Sequence, residues 1–164
     1  MPKVRVSKNK LVTDPADVSS LDGIIKALYE SVSFAPGKQP NYDLLRTIFH
    51  RDGRLIPSKV DRDAEFSSLD LESFVTQSRE VIVISGLERK GFLETEIARR
   101  TQTFGNIIHV FSTYETKDAE AGSTSIQRGI NSIQIVREHG RFWIMTVLWD
   151  VERPGNPIPH AYLM

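Results

Sequence analysis

A chain of 164 residues, 40% hydrophobic and 26% charged, is long enough to bury the core of one globular domain and needs no second. Its 21 basic residues balance 21 acidic ones, so no global field attracts nucleic acid or an anionic membrane. With no cysteine, disulfides, thiolate catalysis and cysteine-ligated zinc are excluded, and no apolar run approaches the ~20 residues of a membrane-spanning helix.

Residues 1–13 are polar and basic with little periodicity and read as a mobile arm, followed by a single domain over 14–164. The opening "MPKVRVSKNKLVTDPADVSS" lacks the apolar stretch of a secretory leader, so the expected location is cytoplasmic. Asp14-Pro15 supplies an N-cap and a first-turn proline, predicting a helix from there. Val18, Leu21, Ile25, Leu28 and Val32 form its apolar stripe, widened by Ile24 and Tyr29, until "APGKQP" ends the pattern. Asn41 caps a shorter helix with Leu44, Leu45, Ile48 and Phe49 on its apolar side, ending near His50. A turn at Asp52-Gly53 leads to a short strand, and "KVDRDAEF" reads as a charged loop. Ser67 with Asp70 resembles a capping box for a third helix, in which Leu71, Phe74, Val75, Ser78, Val81 and Ile82 keep helical spacing as far as Ser85-Gly86.

From Phe92 the period changes to that of strands: 92–104, 106–116, 125–136 and 141–152. Polar "KDAEAGST" and compact "EHG" connect the last three as hairpin turns should, so these strands are expected to be sequential and antiparallel. Helices followed by a meander make an α+β fold, with the helices packed on one face of a curved antiparallel sheet. The last strand, "RFWIMTVLWD", is apolar at almost every position, which predicts cover on both faces. A two-residue turn at His139-Gly140 pairing Glu138 with Arg141 would set Ile130 opposite Trp149, Ser132 opposite Val147 and Gln134 opposite Met145. Phe142, Ile144, Thr146 and Leu148 would then share the other face with Asn131, Ile133 and Ile135.

The segments "FGNIIHVFSTYE", "RGINSIQIVREHGRFWIMTVLWD" and "ERPGNPIPHAYL", taken with the helix order, resemble the nuclear transport factor 2-like superfamily over roughly residues 15–163. That superfamily includes ketosteroid isomerase, scytalone dehydratase, limonene epoxide hydrolase and the SnoaL-like polyketide cyclases. The pattern is most similar to an uncharacterised bacterial branch. The resemblance implies a cone-shaped α+β barrel, a largely apolar pocket at its wide end, and a homodimer through the outer face of the sheet. It does not fix a function. Aligned through "EHGR" and Trp149, the isomerases' carboxylate base falls near Ile56 and their donor carboxylate on Ser132, and neither residue can perform that role.

The expected pocket is walled by Tyr29, Phe49, Phe74 and Trp149, with Arg128, Ser132 and Gln134 as polar anchors. Tyr29 is either a hydroxyl donor or plain core. Arg128 would hold a ligand carboxylate unless Glu115 or Asp150 neutralises it. His109, inside an apolar strand, and Asp52, at a strand entrance, are the candidate general-base pair. The alternatives are a structural histidine and a turn aspartate. His50 and Asp52 form an H-x-D pair without a third clustered ligand, so no metal is expected, and no phosphate or dinucleotide motif calls for a cofactor. The sequence therefore describes a binder of a small apolar or cyclic molecule carrying a carboxylate or carbonyl, with or without cofactor-independent lyase, isomerase or cyclase-like activity. The alternative is a non-catalytic dimeric interaction module.

Overall fold

The computed structural model describes residues 17–59, 65–119 and 127–164. The N-terminal arm read over 1–13 lies outside these residues, as do Asp14 and Pro15. Helix α1 spans Leu21–Val32 rather than starting at Asp14, and its N-cap is Ser20, whose hydroxyl accepts from the Gly23 N–H at 3.0 Å. Asp17 instead stabilises the turn before the helix by accepting from Ser19 and Ser20. Helix α2, Tyr42–Ile48, is capped by Asn41 as expected, and the chain passes without a loop into strand β1, Phe49–Ile56. Helix α3 covers Leu71–Ser85. Its cap is Asp70 itself, which accepts from the Ser73 N–H at 2.8 Å, and it ends at left-handed Gly86 before the single turn α4, Leu87–Lys90.

Strands β2 (Leu93–Phe104), β3 (Ile107–Lys117), β4 (Gln127–Glu138) and β5 (Arg141–Val151) form the expected antiparallel meander. The sheet is mixed, however, because β1 lies parallel to β5 at the end of the order β1-β5-β4-β3-β2. Two isolated bridges tie the helical layer to this curved sheet. Phe34 pairs with Phe92, joining the end of α1 to the start of β2, and Leu69 pairs with Leu55, fixing the approach to α3 on β1.

The β4–β5 hairpin has the expected two-residue turn, with His139 and Gly140 both at positive φ (51° and 75°) and Glu138 opposite Arg141. The register does not continue as expected. A bulge in β5 between the Ile135–Ile144 and Gln134–Thr146 pairs inserts Met145, so Trp149 lies opposite Asn131 rather than Ile130, and Val147 opposite Ile133 rather than Ser132. One extra residue exchanges the faces beyond it. Phe142 and Ile144 before the bulge, and Val147 and Trp149 after it, all face inward, which is how a run with no alternation fits one buried face. Phe142, Ile144, Ile133 and Ile135, expected on an outer contact face, are core residues instead, and Ile144 and Ile133 are fully buried.

Together with Val110, Ile24, Ile25, Leu45 and Ile48 they form the core between α1, α2 and the inner face of the sheet. The C-terminal segment returns across the outer face. Thr113 donates to the Tyr162 carbonyl at 2.6 Å, Arg100 donates to the Ala161 carbonyl, and Tyr162 packs its ring against Phe111. Among the described residues, no helix is long and apolar enough to cross a membrane.

Candidate functional site: a carboxyl in an apolar cavity

Helix α3 buries only Val75 and Ile82, because it spans an opening instead of capping a filled core. Beneath it lies a cavity of about 450 Å³, bounded by α1, α2 and the inner face of the sheet. Leu28, Leu45, Leu55 and Val147 supply aliphatic wall, and Tyr42, Phe74, Tyr114 and Trp149 supply aromatic wall. Phe74 meets Trp149 edge to face, with ring centroids 6.3 Å apart, so one helix side chain and one strand side chain hold each other in place. Tyr114 reaches the cavity across Gly129. A Cβ there would come within 2.4 Å of the Tyr114 hydroxyl, so the glycine makes room for the phenol.

The one ionised-type side chain among the described lining residues is Glu94, near the start of β2. Its backbone N–H donates to Ser33 Oγ at the end of α1, at 3.0 Å, which fixes where the side chain starts. Its carboxyl accepts from Asn131 Nδ2 at 3.4 Å, and no described lysine, arginine or histidine pairs with it. Burial without a counter-charge pushes this carboxyl up to about 7, against which the Asn131 hydrogen bond acts as a smaller lowering influence.

Behind Asn131 runs a directed chain. Asn131 Nδ2 also donates to the Tyr29 hydroxyl at 3.2 Å, Tyr29 bonds to Ser112 Oγ at 2.6 Å, and Ser112 donates to Glu96. Since the Ser112 proton is committed to Glu96, the Tyr29 proton must point to Ser112, leaving the Tyr29 oxygen as acceptor for Asn131. Arg99 closes the chain with an ion pair to Glu96 at 2.7 Å and another to exposed Asp22 at 2.6 Å. Burial raises both Tyr29 and Tyr114 well above the ordinary phenol value. The hydrogen bonds that Tyr29 makes with Ser112 and Asn131 partly offset this in Tyr29, and the charge of Glu94 adds to it in Tyr114. Both phenols therefore stay neutral donors at physiological pH.

No protein-family model and no curated protein matches the sequence. Solved structures match it in shape. An NTF2-like protein of unknown function from Pseudomonas putida KT2440 superposes with a TM-score of 0.61 at 8% identity, covering 81% of this chain and 84% of that one. An NTF2-like protein of unknown function from Silicibacter pomeroyi DSS-3 gives 0.51 at 11%, over 82% and 95% of the two chains. A candidate ketosteroid isomerase from Shewanella frigidimarina NCIMB 400 gives 0.54 at 13%, over 82% and 97%. The chain has the nuclear transport factor 2-like fold.

Within this fold the residues singled out from sequence separate into three places. Phe74 and Trp149 line the cavity. Tyr29 lies one layer beneath it, in contact through Asn131, and Phe49 sits in the core at the start of β1. Arg128, Ser132 and Gln134 were expected to face the pocket, but the bulge puts Asn131 and Ile133 on the inner face and these three on the outer one. Arg128 is ion-paired there to Glu152 at 2.9 Å, so it is neutralised, though by neither partner foreseen for it.

His109 and Asp52 are not brought together. Val110 and Ile108 face the core, so His109 between them faces outward, half-buried, bonded to Ser132 Oγ at 3.0 Å and beside Phe111. Asp52 is exposed on β1, with β5 and β4 between it and β3, and its carboxylate lies 3.7 Å from His50. Glu94 and Asn131 were not singled out from the sequence. In "FLETEIARR" the apolar residues alternate with the carboxylates, so placing Leu93 and Ile97 inward turns Glu94 and Glu96 toward solvent. The structure has the opposite arrangement, with a register shift at Ile97.

Proposed function

We propose that the chain binds a small, largely apolar molecule inside the fold, with Glu94 as the ionisable group that meets it and exchanges a proton with it. The observation that carries this reading is a carboxyl facing an otherwise apolar and aromatic cavity with Asn131 as its donor and no described cation beside it. A buried charge without a partner opposes folding, so such a group is retained where it has work to do on a ligand. A carboxyl titrating at about 7 is matched to proton transfer at neutral pH, which fits cofactor-independent lyase, isomerase or cyclase-like chemistry. Glu94 thus takes the part for which the sequence pointed to His109 and Asp52. With Arg128 outside the cavity, a ligand carboxylate loses its expected anchor.

Trp149 reports on the cavity directly. Trp143, on the outer face under the Arg141 guanidinium, is the second fluorophore, and Trp143→Phe leaves Trp149 alone. Small cyclic ketones, alcohols and amines should give a saturable change in its emission, and the change should be altered in Glu94→Gln. A broad panel that leaves the emission unchanged would contradict the proposal.

One observation favours a second reading as a dimeric interaction module: Phe111, Ile130, Leu148 and Ile158 line a groove on the outer face, and Leu148 is 39% exposed. Light scattering should then give twice the chain mass, and Leu148→Arg should return it to one.

A further inference from the structure

We infer that the molecule bound in the cavity carries a basic nitrogen and is held as an ammonium ion, its charge against Glu94 and its hydrocarbon body against the aromatic wall. This inference rests on the cavity reading above and names the ligand class for it. Three observations converge on it. The described lining includes one carboxyl and no lysine, arginine or histidine, so the described residues offer a negative charge and no cation to pair with an anion. Rings share the cavity lining with that carboxyl: Tyr42, Phe74, Tyr114 and Trp149 present π faces and edges, and π faces attract cations while remaining apolar to a hydrocarbon. Asn131 occupies Glu94 Oε1 alone among the described residues and leaves the carboxyl with acceptor capacity toward the cavity. A neutral ligand would leave the ionised carboxyl uncompensated, whereas an ammonium ion supplies the counter-charge that the described lining lacks, together with N–H donors for the remaining acceptor sites.

The other titratable groups near Glu94 do not compete for this role. Tyr29 on α1 and Tyr114 on β3 stay protonated, and Glu96, two residues along β2, is committed to Arg99 and Ser112. Neither α3, α4, β1 nor β5 presents a charged side chain to the cavity among its described lining residues, and β4 contributes the neutral amides Gln127 and Asn131. Binding is therefore governed by the protonation of Glu94. At pH 6 about a tenth of the unliganded protein would carry Glu94 ionised, and at pH 8 about nine-tenths.

The test is calorimetric titration of the full chain with three probes of one shape: cyclohexylmethylamine, cyclohexylmethanol and cyclohexanecarboxylate. The amine should bind roughly tenfold or more tightly than the alcohol at pH 8. Its affinity should fall by about tenfold at pH 6, with a proton released on binding there that shows as a dependence of the heat on buffer ionisation enthalpy. In Glu94→Gln the amine should bind no better than the alcohol. The pH comparison uses the unaltered chain and decides the matter even where that variant fails to fold. Alcohol binding equal to amine binding, tighter carboxylate binding, or an amine affinity flat between pH 6 and pH 8 would each overturn the ammonium assignment while leaving the cavity reading standing. No binding of any of the three to folded protein would overturn both.

Discussion

Replacing Glu94 by glutamine should change the pH dependence of stability in a way that no surface carboxylate can. Glutamine keeps the shape and the acceptor for Asn131 but cannot ionise. The wild-type carboxyl titrates at about 7 when folded against an ordinary 4.5, so the folded state holds its proton more tightly than the unfolded chain does. The stability that this confers is complete below 4.5 and is lost as pH rises through about 7. At ~1.4 kcal/mol per pH unit, the loss between those limits amounts to up to about 3 kcal/mol. Urea unfolding of both proteins between pH 4 and pH 9 isolates it, since every other titrating group is shared and cancels in the difference. Glu94→Gln should match the wild type near pH 4 and exceed it by up to about 3 kcal/mol at pH 9. A difference that stays constant across this range, or wild type gaining on the variant as pH rises, would refute the burial of an unpaired carboxyl.

Other substitutions test the packing around the site. Gly129→Ala should cost about 1–3 kcal/mol in urea unfolding, because its methyl would press on the Tyr114 hydroxyl and the Asp150 carbonyl; unchanged stability would mean that Tyr114 lies elsewhere. Ile144→Arg and Leu148→Arg separate the two faces of β5. The first places a charge at a fully buried position and should abolish cooperative folding, while the second, at a position 39% exposed, should fold and lower only self-association. If Ile144→Arg instead folds as Leu148→Arg does, both residues share the outer face and the register without the Met145 bulge is restored. Tyr29→Phe should cost about 1–3 kcal/mol by leaving Asn131 and Ser112 without their shared partner, measured in the same way. No loss in that variant would remove the directed chain from the account.

Much of the architecture was legible because it is written locally. Asn41 and Gly86 mark helix ends by chemistry that acts within three or four residues, and His139-Gly140 specifies its turn alone, whereas the capping box expected of Ser67 with Asp70 is replaced by Asp70 as the cap itself. Asp14-Pro15 looked like a helix start on the same grounds, but the cap of α1 is Ser20. What could not be read depends on partners far along the chain. The parallel pairing of β1 with β5 leaves no mark on either strand. The Met145 bulge is hidden because a run apolar at every position keeps no alternation for an extra residue to break. For the same reason Trp149 reached the cavity although the register expected for it was wrong, while Arg128, Ser132 and Gln134 went to the other face. Glu94 escaped notice because strand patterning assumes that carboxylates face water, and here the sheet turns one inward beneath α3.

The most direct test of the account is the carbon-13 resonance of the Glu94 side-chain carboxyl, assigned by its loss in Glu94→Gln and followed while cyclohexylmethylamine is added at pH 7. Contact between ligand and carboxyl predicts a saturable shift toward the ionised position, as the ammonium ion draws the proton off Glu94, with the exposed carboxylates unmoved. A Glu94 resonance that ignores the added amine while Trp149 emission or calorimetry shows binding would place the ligand away from this carboxyl and contradict the central claim.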